Sequence, residues 1–151
     1  MAVKRGVTQR DRVVQFTVSR ETKDGWMSDL VNLIAVNGNY ILGIMGEYGL
    51  EMSCVRFVTD SPEEVRALLN AYKIHFCERE VIVVCLKNLD NLDGILRCLK
   101  TSEISVLYAY GLIINAANRA SLILMVDDIA MGTEVLGRSG YEVLEQGDLS
   151  R

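Results

Sequence analysis

The sequence lacks the residues and runs that build metal centres, membrane spans and long linkers. It has one proline and one histidine, His75, among 151 residues. Its longest apolar runs, Val81–Leu86 and Ala120–Val126, have the length of strands and fall well short of the roughly 20 residues of a membrane helix. The first residues contain no apolar stretch of a secretory signal. We therefore expect a cytoplasmic protein with no membrane partner and no long linker.

The four cysteines lie inside apolar segments, and none forms a CxxC pair with another. Their positions are Cys54, Cys77, Cys85 and Cys98. Such cysteines usually behave as small buried hydrophobic residues in a reducing compartment. Because a zinc or redox site needs clustered ligands and the chain has a single histidine, we predict no metal site and no cofactor.

The net charge of −4 hides a basic N-terminus. Residues 1–12 carry a local charge of +3, which leaves −7 on residues 13–151. A body this acidic repels phosphate backbones, and nucleic-acid binding needs clustered lysine and arginine. We expect a flexible basic arm over residues 1–12 and no nucleic-acid partner.

Hydrophobic periodicity divides the first half of the chain into strands and helices. The predicted elements are strand Val13–Val18, a helix from Trp26 to Asn37-Gly38, strands Tyr40–Tyr48 and Met52–Thr59, a helix from Ser61, and strand Ile74–Glu78. In the first helix, Trp26 and Ile34 share an apolar face. In the second helix, Ser61 and Glu64 have the spacing of a capping box, and Pro62 suits the first turn.

The second half repeats that order. Its predicted elements are strand Val81–Leu86, a helix with the apolar stripe Leu92, Ile95, Leu96 and Leu99, strands Ile104–Leu112 and Arg119–Val126 around a hairpin at residues 115–118, a helix that begins at Asp127 or Asp128 and ends at Ser139-Gly140, and strand Tyr141–Leu144. Phe16 corresponds to Val81 at an offset of 65, and Asp60 corresponds to Asp127 at an offset of 67. A two-residue insertion in the hairpin accounts for the difference, so the order, spacing and apolar phase indicate a duplication.

The duplication predicts an α+β protein of two ferredoxin-like βαββαβ units, each with an antiparallel sheet and helices on one face. We place the units at residues 13–79 and 80–151, with Glu78-Arg79-Glu80 as a minimal linker. Strand Val81–Leu86 has no polar alternation, which is typical of a strand that is buried on both faces. The face without helices should therefore pack against the sister unit, another chain or both, and a homodimer is the predicted assembly.

Two short motifs and the repeated order resemble the ACT domain, over about residues 13–148. The family's first loop typically reads acidic or polar, asparagine, lysine or arginine, proline and glycine. Here Glu21-Thr22-Lys23-Asp24-Gly25 retains the glycine and has Asp24 in place of the proline. The family's turn into the second strand often reads Gly-x-Asn-Ile, and Gly38-Asn39-Tyr40-Ile41 has tyrosine in the asparagine position. The later half is most similar to standalone bacterial tandem ACT-domain proteins that bind amino acids.

The resemblance implies a non-catalytic, allosteric regulatory protein that binds an amino acid at an interface and controls an enzyme. The site would lie beside the loop between the first strand and the first helix. The ligand-binding residues that the resemblance implies are Glu21, Thr22, Lys23, Asp24, Gly25, Trp26, Met27 and Tyr40. The N–H groups at a helix N-terminus suit a ligand carboxylate, and an acidic side chain such as Asp24 or Glu21 suits an α-ammonium group.

The same residues also fit purely structural roles. Asp24 would then be the N-cap of the helix, Gly25 a turn residue and Trp26 a core anchor. Tyr40, Tyr108 and Tyr110 either line an interface or only fill it, and we expect packing. The alternative function is a ligand-free scaffold or regulatory subunit that acts through protein–protein contacts. An enzyme is not expected, because the sequence has no P-loop, no GxSxG motif and no candidate for general acid–base catalysis.

Overall fold

Strands and helices alternate along the chain in the computed structural model, which describes residues 12–88, 90–113 and 120–150. The elements are β1 (Val13–Glu21), α1 (Trp26–Val36), β2 (Ile41–Tyr48), β3 (Met52–Thr59), α2 (Pro62–Ala71), β4 (Cys77–Leu86), α3 (Asn91–Thr101), β5 (Val106–Gly111), β6 (Ala120–Val126), α4 (Ile129–Arg138), β7 (Val143–Leu144) and α5 (Gln146–Leu149). The predicted α+β class is confirmed. No helix in these three ranges is long and apolar enough to cross a bilayer.

The strands form one antiparallel sheet in the order β2-β3-β1-β4-β6-β5, with β7 also paired to β4. The start of β4 pairs with β1, from Thr17 opposite Cys77 to Val13 opposite Val81. The rest of β4 pairs with β6 and β7. One continuous strand therefore joins a first half, residues 12–81, to a second half, residues 82–150. The predicted linker over residues 78–80 is wrong, and the predicted boundary between residues 79 and 80 falls inside β4.

Three hydrophobic clusters stabilise this arrangement. Two of them lie between the helices and the sheet, one in each half, around Phe16 and Phe57 and around Ile95 and Leu124. The third cluster joins the halves, because the faces of the sheet without helices pack on each other. Its buried residues are Val13, Leu42, Val58, Val81, Val83, Cys85, Tyr110, Ile123, Leu144 and Leu149. Of the coverings that the sequence left open, packing on the other half of the same chain is the one that this cluster shows.

The four long helices end in the same way. At each C-terminus, two backbone N–H groups donate to carbonyl oxygens of the last turn. In α1, the Gly38 N–H donates to Ala35 and the Asn39 N–H donates to Ile34. This is the Schellman pattern, which needs a left-handed residue just past the helix. The left-handed residues are Gly38 (φ 80°), Lys73 (φ 55°), Glu103 (φ 58°) and Gly140 (φ 87°). The predicted stops at Gly38 and Gly140 are confirmed.

The helix starts agree less well with the predictions. Asp128 caps α4, since its carboxylate accepts a 3.0 Å bond from the Met131 N–H. The capping box predicted at Ser61 is wrong, because the Ser61 side chain makes no cap bond. Its own N–H instead donates to Thr59 Oγ1 at 3.3 Å. Asp24 is not the cap of α1 either, since that position is Gly25 in the left-handed region.

Several predicted boundaries and burials also differ. Strand β4 begins at Cys77 rather than Ile74, and β5 begins at Val106 rather than Ile104. Helix α3 buries Ile95 and Leu99, whereas Leu92 and Leu96 of the predicted apolar stripe are exposed. The predicted hairpin at residues 115–118 and the basic arm up to residue 11 lie outside the described residues. The cysteines are free, but only Cys85 is buried and Cys77 is exposed.

Candidate functional site

A large cleft lies where β1 extends beyond β4. Pairing between these strands stops at Thr17 and Cys77. The residues before Cys77 connect helix α2 to β4 and do not pair with β1. The resulting cleft has a cavity volume of about 820 Å³. It is lined by Ser19, Arg20, Glu21, Lys23, Asp24, Trp26, Asp29, Met52, Tyr72, Lys73, Ile74 and His75. The site therefore opens between the start of α1 and the end of α2.

Four of the eight predicted site residues line this cleft. Glu21 ends β1, and Lys23 and Asp24 lie in the loop that follows. Trp26 begins α1 and is 7% exposed, with its ring in the hydrophobic cluster of the first half. The core-anchor interpretation of Trp26 is confirmed, and the same side chain also forms part of the cleft wall.

Thr22 is hydrogen-bonded to the hairpin between β2 and β3 through its side chain and its backbone. Its hydroxyl donates to the Gly49 carbonyl oxygen at 2.6 Å and lies 2.7 Å from Ser53 Oγ. Its N–H donates to the Glu51 carbonyl oxygen at 2.8 Å. Thr22 thus fixes the loop against the hairpin rather than facing the cleft.

Met27 packs over the strand β2. A Cβ atom at Gly46 would approach Met27 Cε to 2.5 Å, so the glycine makes room for the methionine side chain. Gly25, the remaining loop residue, has a φ of 80° and open space around it. It supplies the left-handed turn into α1, as its turn-residue interpretation predicts.

Tyr40 lies at the other end of the sheet. It precedes β2, its carbonyl oxygen accepts a 2.9 Å bond from Thr59 Oγ1, and its ring is exposed. Seven residues of β1 separate this level of the sheet from Glu21, which amounts to roughly 20 Å along the strand. Within one chain, Tyr40 does not meet the other predicted residues.

Several lining residues were missed in the sequence. Arg20 shares the helix-covered face with Phe16 and Val18, a relation that the two-residue period of a strand predicts once the cleft is known. Lys73 and His75 come from the segment between α2 and β4. Nothing local in the sequence connects that segment with the loop after β1, so only the tertiary fold places them in the site.

The cleft combines charges of both signs. Its cationic residues are Arg20, Lys23 and Lys73, and its acidic residues are Glu21, Asp24 and Asp29. Within residues 12–88, 90–113 and 120–150, none of these six side chains forms an ion pair or hydrogen bond. Helix α1 adds N–H groups at its start, where no side chain caps it. Such a lining has charges available for a ligand with a carboxylate and an ammonium group.

The second half closes the equivalent gap. There, the segment after α4 continues into β7, and Val143 pairs with Val84. The Cys85 N–H also donates to the Glu142 carbonyl oxygen at 2.9 Å. The edge of β4 that corresponds to the open part of β1 is thus covered by the chain itself.

Comparison with known proteins gives matches in structure only. No family model and no curated protein matches the sequence. Protein BT0572 from Bacteroides thetaiotaomicron is 16% identical, with a TM-score of 0.82 over 93% of this chain and 96% of that chain. The regulatory subunit of aspartate kinase from Thermus thermophilus is 11% identical, with a TM-score of 0.58 over 90% of this chain and 98% of that one. A chain from the structure of the aspartokinase alpha and beta subunits is 13% identical, with a TM-score of 0.57 over 85% and 92% of the two chains.

These similarities define the class of fold. Aspartate kinase regulatory subunits are ACT-domain proteins, and the present chain shares their architecture over most of its length. The predicted resemblance to ACT-domain proteins is confirmed at the level of the fold. The chain is an ACT-like α+β protein whose solved neighbours include regulatory subunits.

Proposed function

We propose that this protein is a non-catalytic regulatory protein, acting in the cytoplasm, that binds an amino acid in the cleft beside β1 and α1. The observation that carries the proposal is the lining of that cleft. Three cationic and three acidic residues line one cavity, and none of their side chains has an ion-pair partner among the described residues. A free amino acid has one group for each sign, and charge-assisted hydrogen bonds are about twice as strong as neutral ones.

The proposal includes the division of the chain into two ACT-like units. Each half contributes one strand–helix–strand–strand–helix–strand sequence, and β4 serves both. The units would follow the predicted ranges 13–79 and 80–151, with no linker between them because their boundary lies inside the shared strand β4, and with the basic arm of residues 1–12 before them. The first unit would be the binding unit, because the edge of β1 stays open beyond Thr17, whereas β7 covers the corresponding edge of β4.

A homodimer is also part of the proposal. The hairpin between β2 and β3 exposes three large apolar side chains, with Tyr48 at 74%, Leu50 at 99% and Met52 at 53% exposure. Met52 also lines the cleft. A second copy placed against this hairpin would bury the apolar tip and close one side of the site.

Binding can be tested with the full chain and the twenty amino acids. Thermal-shift measurement followed by calorimetry should identify at least one amino acid that raises the melting temperature, because a ligand specific for the folded state stabilises it. Replacing Lys73 with glutamine or Asp24 with asparagine should then weaken binding about tenfold or more. Lys100→Gln and Asp90→Asn, which remove the same charges outside the cleft, are matched controls. The proposal fails if no amino acid binds.

A ligand-free scaffold is the second candidate function. The exposed tip at Leu50 favours it, since a surface leucine of this exposure beside other apolar side chains marks an interaction surface. In that case, the protein would form stable complexes with a regulated enzyme and bind no amino acid. The binding experiment above therefore separates the two functions.

A further inference from the structure

The backbone of β1 presents an open edge to the cleft. In a strand, the N–H and C=O groups of successive residues point to opposite sides. The Thr22 N–H bonds to Glu51 on the side of β3. The Val14 N–H bonds on the same side to Gln146, whose amide also donates to the Thr59 carbonyl oxygen. Even-numbered residues therefore face β3, and the odd-numbered residues face β4.

Ser19 and Glu21 are the odd-numbered residues beyond the end of the β1–β4 pairing, which stops at Thr17 and Cys77. Both line the cleft. The segment opposite them does not complete the ladder, because the N–H of Lys73, which the register places opposite Glu21, is bonded to the Asn70 carbonyl oxygen at the end of α2. Within the described residues, the backbone groups of Ser19 and Glu21 thus face the cavity without a strand partner.

We propose, building on the proposed function, that the cleft takes a short extended peptide that adds to the edge of β1 as an antiparallel strand. The spacing of the edge carries this inference. Ser19 and Glu21 are two residues apart, which is the repeat of hydrogen-bonded pairs in an antiparallel ladder. A single amino acid pairs with only one of them, whereas the first and third residues of a tripeptide pair with both. A cavity of about 820 Å³ is within the range of about 300–1,000 Å³ that holds ligands of such size.

The charges of the cleft agree with this direction of binding. An antiparallel peptide starts opposite Glu21 and ends opposite Ser19, towards the chain that leads into β4. Its ammonium group then lies at the end of β1 where Glu21 and Asp24 supply carboxylates. Its terminal carboxylate lies at the opposite end, opposite Ser19, in a cleft whose cationic residues are Arg20, Lys23 and Lys73. The cleft therefore holds residues with charges of both signs, as the two ends of a tripeptide require.

The pairing pattern gives a sharp test. The probes are a panel of tripeptides with two alanines followed by each of the twenty amino acids, measured by calorimetry beside the free amino acids. We expect the best tripeptide to bind at least about tenfold more tightly than its third residue alone. Methylating the amide nitrogen of the third residue should remove that gain, because this N–H donates to Ser19. Methylating the amide nitrogen of the second residue is the matched control, since that N–H points away from β1.

The outcomes separate this inference from the proposed function. A free amino acid that binds as tightly as every tripeptide containing it overturns the peptide inference and leaves amino-acid binding intact. Equal losses from the two methylated peptides also overturn strand addition. Binding of tripeptides without binding of any free amino acid supports the inference and overturns the amino-acid proposal. A Ser19→Pro variant, which removes the edge N–H of Ser19 and also fixes its φ, should reduce the tripeptide affinity by at least about tenfold.

Discussion

The Tyr110 hydroxyl donates a 2.6 Å hydrogen bond to Gln15 Oε1, and this bond joins strand β5 of the second half to β1 of the first. Gln15 is completely buried. Its amide nitrogen donates to the Tyr108 hydroxyl at 2.7 Å. The guanidinium of Arg56 lies 4.4 Å from the centre of the Tyr108 ring. The two tyrosines therefore fill the seam between the halves, as predicted, and satisfy a polar side chain there.

The Tyr110 bond predicts a pH-dependent stability. Burial, together with the charge of Tyr108, raises the pKa of Tyr110 well above its usual value, although Arg56 opposes the shift. Above pH of about 10 the unfolded chain loses this proton while the folded protein keeps it. The free energy of unfolding must then fall as the pH rises, by at most about 1.4 kcal/mol per pH unit from this group.

Urea unfolding of wild type and Tyr110→Phe at pH 8 and pH 10.5 measures this effect. At pH 8 the variant should be about 1–3 kcal/mol less stable, because a buried acceptor on Gln15 loses its donor. At pH 10.5 the difference in stability between wild type and variant should be smaller. The wild type loses stability there through Tyr110, whereas phenylalanine has no proton to lose. The exposed Tyr48→Phe is the control and should match the wild type at both values. A difference that is the same at both pH values would contradict the assignment.

A second prediction concerns the close approach of the halves at Gly43. A Cβ atom there would lie 2.7 Å from Ile123 Cδ1 and 3.3 Å from the Gly111 carbonyl oxygen. Gly43→Ala should therefore destabilise the protein by about 1–3 kcal/mol through overpacking. Ile123→Val alone should cost about 0.5–1.5 kcal/mol. The double variant should lose less free energy of unfolding than the two single variants lose together, because valine lacks the clashing atom.

Gly137→Ala is the matched control for this glycine experiment. Gly137 lies in helix α4 with open space where a Cβ atom would be. Alanine there should stabilise the protein by about 0.5–1 kcal/mol, since glycine is a poor helix former. Thermal or urea unfolding of all four variants measures the set. Strict additivity of the changes at residues 43 and 123 would show that the two side chains do not meet.

The left-handed helix ends give a third prediction. Glu103 holds a φ of 58°, which costs a residue with a side chain about 1–2 kcal/mol. Glu103→Gly should therefore raise the free energy of unfolding by about 0.5–1 kcal/mol, after the greater freedom of glycine in the unfolded chain is included. Gly38→Ala, at a φ of 80°, should lower it by about 1 kcal/mol or more. Urea unfolding measures both changes in the free energy of unfolding. Opposite signs of these changes confirm that both helix ends hold a left-handed residue, and a loss of stability in Glu103→Gly argues against it.

The apolar hairpin gives a fourth prediction. Because Leu50 is 99% exposed, Leu50→Lys should leave the fold intact. It should weaken self-association about tenfold or more if the hairpin forms the homodimer interface. Sedimentation equilibrium measures this constant. Leu107→Lys, which changes an exposed leucine on strand β5, should leave it unchanged. A wild-type protein that stays monomeric at high concentration would exclude the homodimer.

Much of the fold follows from local signals. The glycine stops at residues 38 and 140 and the Asp128 cap are features of two or three residues, and periodicity locates the elements between them. The failure at β4 has a physical cause. Glu78 and Glu80 suggest a polar linker, but in the sheet they pair with Arg66 at 2.9 Å and with Arg12 at 2.8 Å. Partners so distant in sequence cannot be seen from the residues nearby.

The site was predicted only in part for the same reason. The loop residues Glu21 and Asp24 lie in one short segment, so a family motif is enough to identify them. Lys73 and His75 reach the cleft because the pairing of β1 with β4 ends early, which is a property of the tertiary fold. Sequence reasoning placed a strand from Ile74 onwards and so removed the gap in which the cleft forms.

The continuous strand β4 ties the folding of the two halves to one register. Side chains on a strand alternate between its faces, so a slip by a single residue against β1 would turn every side chain of β4 over. Val83 and Cys85, which belong to the cluster between the halves, would then point away from it. An error in pairing at Thr17 and Cys77 would thus spread to the part of β4 that does not pair with β1, and the two halves reach their native alignment together or not at all.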